Sequence, residues 1–281
     1  MTMLYLVSTP IGNLQDMTLR AIEVLKQVDF IAAEDTRHSA HLLSHYHINT
    51  PCFSLHDHNE AARIEKIITL LREKKSVALI SDAGTPLISD PGYKVVTAVR
   101  AVGFKVIPIP GACAVIAAIA ASGLPTDVFS FYGFLPAKKN ALEKYLENLK
   151  TEDCTMIFYE SPHRIKNTIH QIKKTFGEAR LVSIARELTK TFETIYTDTA
   201  EACAEWIEDP NHQKGEFVVM VARAQAVAPS CAADEHLIAL LKVLLSEITL
   251  KQAVKIACQL TKQPKNYVYE LAIQLQHADL T

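Results

Sequence analysis

The sequence has no C-x-x-C pair. Its six cysteines (Cys52, Cys113, Cys154, Cys203, Cys231 and Cys258) are scattered along the chain. That argues against a zinc ribbon or a disulfide scaffold and fits a reducing cytosol. Basic charge is not in excess: 29 Lys and Arg face 31 Asp and Glu, for a formal net charge of −2. This excludes a lysine-coated polyanion binder but leaves room for a local basic face. Long apolar runs are missing too. The longest uncharged stretch, residues 106–126, is broken by Pro108, Pro110, Gly111, Gly123 and Pro125, so no membrane span is expected. The first residues, MTMLYLVSTPIG, carry no basic region and no small-residue cleavage site, so no secretory signal is expected. A soluble cytoplasmic protein follows from these absences.

Two phosphate motifs are also missing, G-x-G-x-x-G and G-x-x-x-x-G-K-[ST]. The loop after the first strand candidate holds one glycine, Gly12, behind Pro10. Loops that cradle phosphate need several glycines for close backbone approach. A dinucleotide or nucleoside triphosphate is therefore disfavoured. A ligand with an adenosine, a charged amino acid and no phosphate remains allowed.

What is present is alternation. LYLVS, FIAAE, SVALIS and FKVIPIP read as strands. Between them lie amphipathic runs: TLRAIEVLKQVD (Leu19, Ile22, Leu25 and Val28 at helical spacing), TRHSAHLLSHY, ARIEKIITLLREKK and YKVVTAVRAVG. This order predicts a parallel sheet covered by helices. After PGACAVIAAIAASGLP the pattern changes. FSFYGFLP, CTMIFYE, LVSIARE, TFETIYTD and GEFVVMV are strand candidates, and only some are separated by helices. The short link between LVSIARE and TFETIYTD predicts antiparallel pairing and a mixed second sheet. AQAVAPS (224–230) reads as a linker, and three helices follow it. The expected organisation is an N-terminal α/β domain (1–111), a second α/β domain (112–225) and a C-terminal helical domain (231–281).

Four loops fall at strand C-terminal ends: STPIGNLQD, EDTR, SDAGTPLISDPG and PGACA. Parallel sheets bind ligands at that edge, although each loop is also ordinary turn chemistry. S-adenosylmethionine suits the allowed ligand description. Asp82 would take its ribose or amino group. Gly84 and Pro86 would let the backbone approach, and Leu87 and Ile88 would wall the adenine. Asp90 reads as an N-cap ahead of Pro91 at the first helical position.

LYLVSTPIGNLQDMTLRA, AEDTR, SDAGTPLISDPG, PGACA, GFLPAK, FYESPHRI, ARELTKTFET and GEFVV occur in that order. The chain thereby resembles the bacterial ribosomal RNA small-subunit methyltransferase I family, of the tetrapyrrole-methylase class. The resemblance covers roughly residues 3 to 221, with a helical tail beyond that is similar to the family's. It implies a two-domain α/β fold, a homodimer, S-adenosylmethionine as donor and 2′-O-methylation of a decoding-centre cytidine in small-subunit rRNA. It also implies a donor site of Pro10, Gly12, Asp82, Gly84, Thr85, Leu87, Ile88, Ala112 and Cys113, completed by Tyr159, Arg186 and Glu216. The alternatives are a methyltransferase of the same class acting on a tetrapyrrole or other small molecule, and a non-catalytic RNA-binding module using the C-terminal helices.

On the acceptor side, Glu34, Asp35 and Arg37 are the catalytic candidates: a carboxylate to draw the 2′-proton, a guanidinium to hold a phosphate. The competing role for Asp35 is to cap the helix starting at Thr36. Six of the 11 histidines lie between His38 and His58. His38, His41 and His45 share a helical face, which reads as a solvent- or RNA-facing patch rather than a metal site. Lys138, His163 and Arg164 are expected RNA contacts, with Lys139, Lys144 and Lys166 nearby. Ser161-Pro162 reads as an N-cap followed by proline at the first helical position. The family's usual arginine downstream of GFLP-x-K is not evident in AKKNALEKYLENLK. The last helices have the length and polar turn of a helix-turn-helix.

Overall fold

The computed structural model describes residues 2–56, 59–224, 231–261 and 263–278. His58 and most of the linker candidate (225–230) lie outside them. The chain divides into two compact units, 1–224 and 225–281.

The first unit holds two five-stranded sheets. β1 (Met3–Val7), β2 (Phe30–Ala33), β3 (Cys52–Ser54), β4 (Val77–Ile80) and β5 (Lys105–Ile109) form the first, in the order β3-β2-β4-β1-β5. Every pairing in it is parallel, so the expected parallel sheet is present. β3 carried no sequence signal: three residues show no periodicity. Helices cover both faces. α1 (Leu19–Gln27) and α2 (Thr36–His45) pack Ala21, Leu25 and Leu43 against Val7, Ala78 and Ile80 on one side. α3 (Glu60–Arg72) and α4 (Tyr93–Ala101) pack Ile67, Leu71, Val95 and Val99 against Leu4 and Leu79 on the other. β4 is buried along its whole length, the signature of a strand covered on both faces. Leu19, placed on the apolar face by its spacing, is instead exposed. The buried face of α1 is Ala21, Leu25 and the following Val28.

α5 (Ala114–Ala121) leads to the second sheet. Its strands are β6 (Phe129–Phe134), β7 (Thr155–Glu160), β8 (Leu181–Arg186), β9 (Thr194–Thr199) and β10 (Phe217–Val221), in the order β6-β7-β10-β8-β9. Only β6–β7 is parallel; the other three pairings are antiparallel, including β8–β9 as the short link required. One face packs on α6 (Lys139–Asn148), α7 (Ile165–Phe176) and α8 (Ala200–Trp206). The other packs on α5, through Val115, Ala118 and Ile119 against Ile157, Val218 and Met220. Ile11, from the loop after β1, joins this last cluster. That contact ties the first sheet's loops to the second sheet.

The second unit is three helices, α9 (Cys231–Glu247), α10 (Leu250–Thr261) and α11 (Lys265–Ala278), around their own core of Leu237, Leu241, Val254, Ala257, Val268 and Ala272.

Candidate active site

Strand order decides which loops meet. β2, β4, β1 and β5 are consecutive neighbours, so the four motif loops share one edge. They are laced together there. Thr9 and Gly84 exchange backbone hydrogen bonds of 2.9 and 3.0 Å, and Thr9 Oγ1 donates to Ser81 O at 3.2 Å. Ser8 Oγ and Thr85 Oγ1 are 3.0 Å apart, and Thr85 Oγ1 donates to Ala112 O at 3.0 Å. Ser8 and Thr9 are buried, so this lacing also satisfies their hydroxyls. Gly111 lets β5's loop close in, since a Cβ there would fall 2.7 Å from Ser8 Cβ.

SDAGTPLISDPG is strained. Gly84 and Gly92 have φ of 79° and 123°, but Leu87 and Ser89 also sit at φ 74° and 69°. Left-handed backbone in a residue with a Cβ costs about 1–3 kcal/mol and persists where surrounding structure imposes it, often at ligand sites. The strain turns Leu87 and Ile88 apart. Leu87 packs into the core beneath the loop, while Ile88 faces a cleft. Asp90 is not an N-cap: α4 starts at Tyr93 with Gly92 as its cap, and Pro91 precedes the helix. The left-handed turn at Ser89 redirects Asp90 into the cleft instead.

That cleft has a volume of about 420 Å³ and lies between the loop edge of the first sheet and one edge of the second. The first sheet contributes Gly84, Thr85, Ile88 and Asp90, with Cys113 and Ala114 at the start of α5. The second contributes Tyr159 and Glu160 from the end of β7, and Phe217 and Val218 from the start of β10, preceded by Glu216. These ends coincide because β10 runs antiparallel to β7, with Phe217 opposite Glu160. Phe134, 58% exposed, closes one side and packs edge-on to Tyr159 at 5.5 Å. No Lys or Arg lines the cleft among the described residues.

Its three carboxylates differ. Glu160 is buried and fully engaged: Thr168 Oγ1 (2.7 Å) and Ser161 N–H (2.8 Å) donate to it, and Arg164 Nη2 pairs with it at 2.7 Å. Glu216 pairs with Lys190 Nζ at 2.8 Å. The stem of Lys190 crosses over Gly12, whose Cβ would fall 2.5 Å from Lys190 Cγ. Asp90 is in no ion pair among the described residues. Burial pushes its carboxyl above the usual range; a hydrogen bond from Ser81 opposes this, and repulsion from Asp82 adds to it. Burial also raises the Tyr159 phenol, with the charges of Cys113 and Asp90 adding, so it stays neutral.

The other expected site residues divide. Pro10, Gly12 and Asp82 face a second cavity on the far side of the Thr9–Gly84 rung, together with Arg37, His38 and His41. Leu87, Ala112 and Arg186 line neither space. Arg186 Nε donates to Lys214 O at 2.6 Å. Asp35 is the N-cap of α2, accepting from Arg37 N–H at 2.8 Å. The Arg37 guanidinium also binds it through Nε (3.3 Å) and Nη2 (3.2 Å) and holds its carboxyl below the usual range. Asp35 N–H donates to Asp82 Oδ1 at 3.1 Å, and Asp82 N–H to Glu34 Oε2 at 3.4 Å. EDTR and SDAG are therefore one bonded unit. His45 packs edge-on against Tyr46 at 4.8 Å and, unlike His38 and His41, does not line the second cavity.

Lys138 and His163 are exposed. Ser161 is not the N-cap and Pro162 not the first helical residue: residues 162–164 form a turn and α7 starts at Ile165, which leaves Arg164 at the helix N-terminus, as its N-cap. Besides Glu160, Arg164 donates to Ser161 Oγ (3.2 Å) and Leu135 O (3.1 Å). Its donors point into the protein. Sequence reasoning missed Phe134, Glu160, Ser161 and Leu188 as cleft residues. The available signal was FYESP itself, which ends a strand with a carboxylate.

A parallel sheet and a mixed sheet, joined so that one strand-end edge of each borders a common cleft, define a class. The family model for Tetrapyrrole (Corrin/Porphyrin) Methylases matches residues 3–204, and that for the RsmI C-terminal HTH domain matches 232–276. Among solved structures, cobalt precorrin-4 methyltransferase superposes with a TM-score of 0.58 at 17% identity, covering 78% of this chain and 94% of that one. Diphthine synthase does so with 0.60 at 14%, covering 79% and 90%. Curated relatives are nearer in sequence. The protein named ribosomal RNA small subunit methyltransferase I from Haemophilus influenzae is 48% identical, over 96% of both chains. Its namesake from Escherichia coli O157:H7 is 46% identical, over 97% of this chain and 95% of that one. The chain belongs to the tetrapyrrole methylase family and, within it, to the ribosomal RNA small subunit methyltransferase I group.

Proposed function

We propose that the protein methylates small-subunit ribosomal RNA, using S-adenosylmethionine to methylate the ribose 2′-oxygen of a decoding-centre cytidine. The same reading has a cytoplasmic homodimer acting on the assembled subunit. The observation that carries it is near-full-length similarity at 42–48% to relatives bearing one rRNA methyltransferase name.

The cleft fits the donor. Its volume lies within the range of about 300–1,000 Å³ usual for small-molecule sites. Ile11, Ile88, Ala114, Leu188 and Val218 provide an apolar slot for adenine. A lining without Lys or Arg, and with Asp90 outside any ion pair, suits a cationic ligand without phosphate. When bound, S-adenosylmethionine supplies a methyl activated by its sulfonium. The chain's task is then placement. Orientation contributes about 7–11 kcal/mol, whereas a general base typically adds about 10²–10⁴-fold. The laced loops provide rigidity, and the tied-down Asp35 is a weak proton acceptor. Asp90 is assigned to the donor's amino or ribose groups.

Asp90→Asn tests that assignment. Losing a charge-assisted hydrogen bond of about 1.5–2 kcal/mol weakens donor binding roughly 10- to 30-fold, read by calorimetry. In the wild type, donor affinity falls as pH drops through the raised Asp90 pKa, above the ordinary carboxylate range; in the Asp90→Asn variant that limb disappears. Stability moves the other way. A raised folded-state pKa contributes stability below the unfolded value and loses it as pH rises through the folded one. The variant is therefore more stable than wild type at neutral pH and no more stable in acid. Unchanged donor affinity at neutral pH would remove Asp90 from the site.

The function itself is tested by transfer of labelled methyl from S-adenosylmethionine to small subunits from cells lacking the gene. Label in 2′-O-methylcytidine is expected. Label on a base, or none despite donor binding, overturns the acceptor. Failure to bind the donor overturns the donor.

A further inference from the structure

The second cavity has a volume of about 470 Å³ and, unlike the first cleft, includes an arginine and two histidines in its lining. The Thr9–Gly84 rung separates them. Along the loop after β1, Ile11 faces the donor cleft while Pro10 and Gly12 face the second cavity. Along the loop after β4, Gly84 faces the first and Asp82 the second. Arg37, His38 and His41, all from the first two turns of α2, line the second. Among the described residues its one carboxylate is Asp82, which already accepts from Asp35 N–H. Leu14 and Leu42 add apolar wall, and the Tyr46 hydroxyl donates to Leu14 O, fixing the loop against α2. Arg37 is 91% exposed, yet its Nε and Nη2 are held by Asp35. The pair fixes the guanidinium's direction and leaves Nη1 outside it.

We infer that this second cavity seats one phosphate-bearing nucleotide of the RNA strand beside the acceptor residue. Arg37 takes the phosphate, with His38 and His41 alongside, and the ribose or base lies against Pro10, Leu14 and Leu42. Three features favour this over a second donor site. The wall presents the Arg37 guanidinium, where the lining of the first cleft has no Lys or Arg among the described residues. The helix N-terminus adds partial positive charge on the same side. A neighbouring nucleotide must lie within a few ångströms of an acceptor held at the donor cleft, and the second cavity is one loop away. The inference rests on the RNA reading above.

Arg37→Ala and Arg37→Ala/His41→Ala, assayed with small subunits and labelled donor, test it. KM for subunits is expected to rise about tenfold in the single variant, the equivalent of about 1.4 kcal/mol, and further in the double. The slope of log affinity against log salt should flatten by about 0.7–0.9 for the lost phosphate contact. The donor's dissociation constant stays within about twofold, and Arg37→Lys recovers part of the loss. A role limited to bracing the Asp35 cap of α2 would lower the melting temperature and leave the salt slope unchanged, which overturns the inference. So does an equal loss of donor affinity, which would place the cavity in the donor site. Failure of wild type to label rRNA would sink the functional reading instead. Wild-type labelling with an unmoved KM in both variants sinks only this inference.

Discussion

Arg164→Ala is expected to destabilise the first unit by about 3–5 kcal/mol, the usual consequence of leaving a buried charge without its partner. Glu160 keeps donors from Thr168 and Ser161 but loses the guanidinium at 2.7 Å, and its side chain is 1% exposed. For a unit of this size, each kcal/mol lowers the melting temperature by about 2–4 °C, so a fall on the order of 10 °C should appear by calorimetry. Replacing both partners, as Glu160→Gln with Arg164→Met, should restore much of it, because the uncompensated charge is gone. The consequence for function is specific. Glu160 and Ser161 line the cleft proposed for the donor, so donor affinity is expected to fall with stability. An Arg164 devoted to RNA predicts the reverse: an unmoved melting temperature with weaker subunit binding. The geometry favours the structural role, since the Arg164 guanidinium is bonded to Glu160, Ser161 and Leu135.

Gly111→Ala is expected to be the most damaging small substitution at the loop edge. The new Cβ would lie 2.7 Å from Ser8 Cβ, closer than carbon atoms pack. Ser8 cannot yield freely. Its N–H donates to Ile109 O, and its hydroxyl meets Thr85, which in turn holds Ala112 O. Overpacking of this kind costs about 1–3 kcal/mol. The displacement also falls on three loops that line the cleft proposed for the donor. Methyl transfer should drop by about tenfold or more, through kcat as well as donor affinity, because placement errors of about 1 Å slow reactions up to roughly 100-fold. Thr85→Val is the companion variant. It removes the hydroxyl linking Ser8 to Ala112 while keeping shape, and its smaller loss should follow the same pattern. If Gly111→Ala leaves rate and melting temperature unchanged, the loops are not mutually braced.

Apart from the three-residue β3, the order of strands and helices was legible in the chain because each longer element writes its own period. The run of apolar residues in VALI marks a strand covered on both faces, and β4 is that. The motif loops were legible as a set because a parallel sheet sends every strand's C-terminal end to one edge. Asp35's capping role was legible too, since a cap bonds the helix it begins. The errors share a different cause. Asp90-Pro91 and Ser161-Pro162 carry the residue preferences of helix starts, yet the backbone makes a turn before α4 and α7 begin. Leu87 and Ile88 are adjacent and alike, and only the left-handed turn at Leu87 sends one to the core and the other to the cleft.

Along the chain alone, the local grammar was readable: element types, the parallel and mixed halves, the motif loops at strand ends and the family those motifs define. Three-dimensional packing set the assignment between partners distant in the chain. Glu160 meets Phe217 because β10 runs antiparallel to β7. Lys190 reaches both Gly12 and Glu216 across the two sheets. One rung between Thr9 and Gly84 divides a single motif edge into a space lined by three carboxylates and one lined by Arg37, two histidines and Asp82. Hydrophobic periodicity acts over a few residues and can be read along the chain. Charge pairing, burial and cavity walls depend on distances between residues far apart in the chain, and only packing sets those distances.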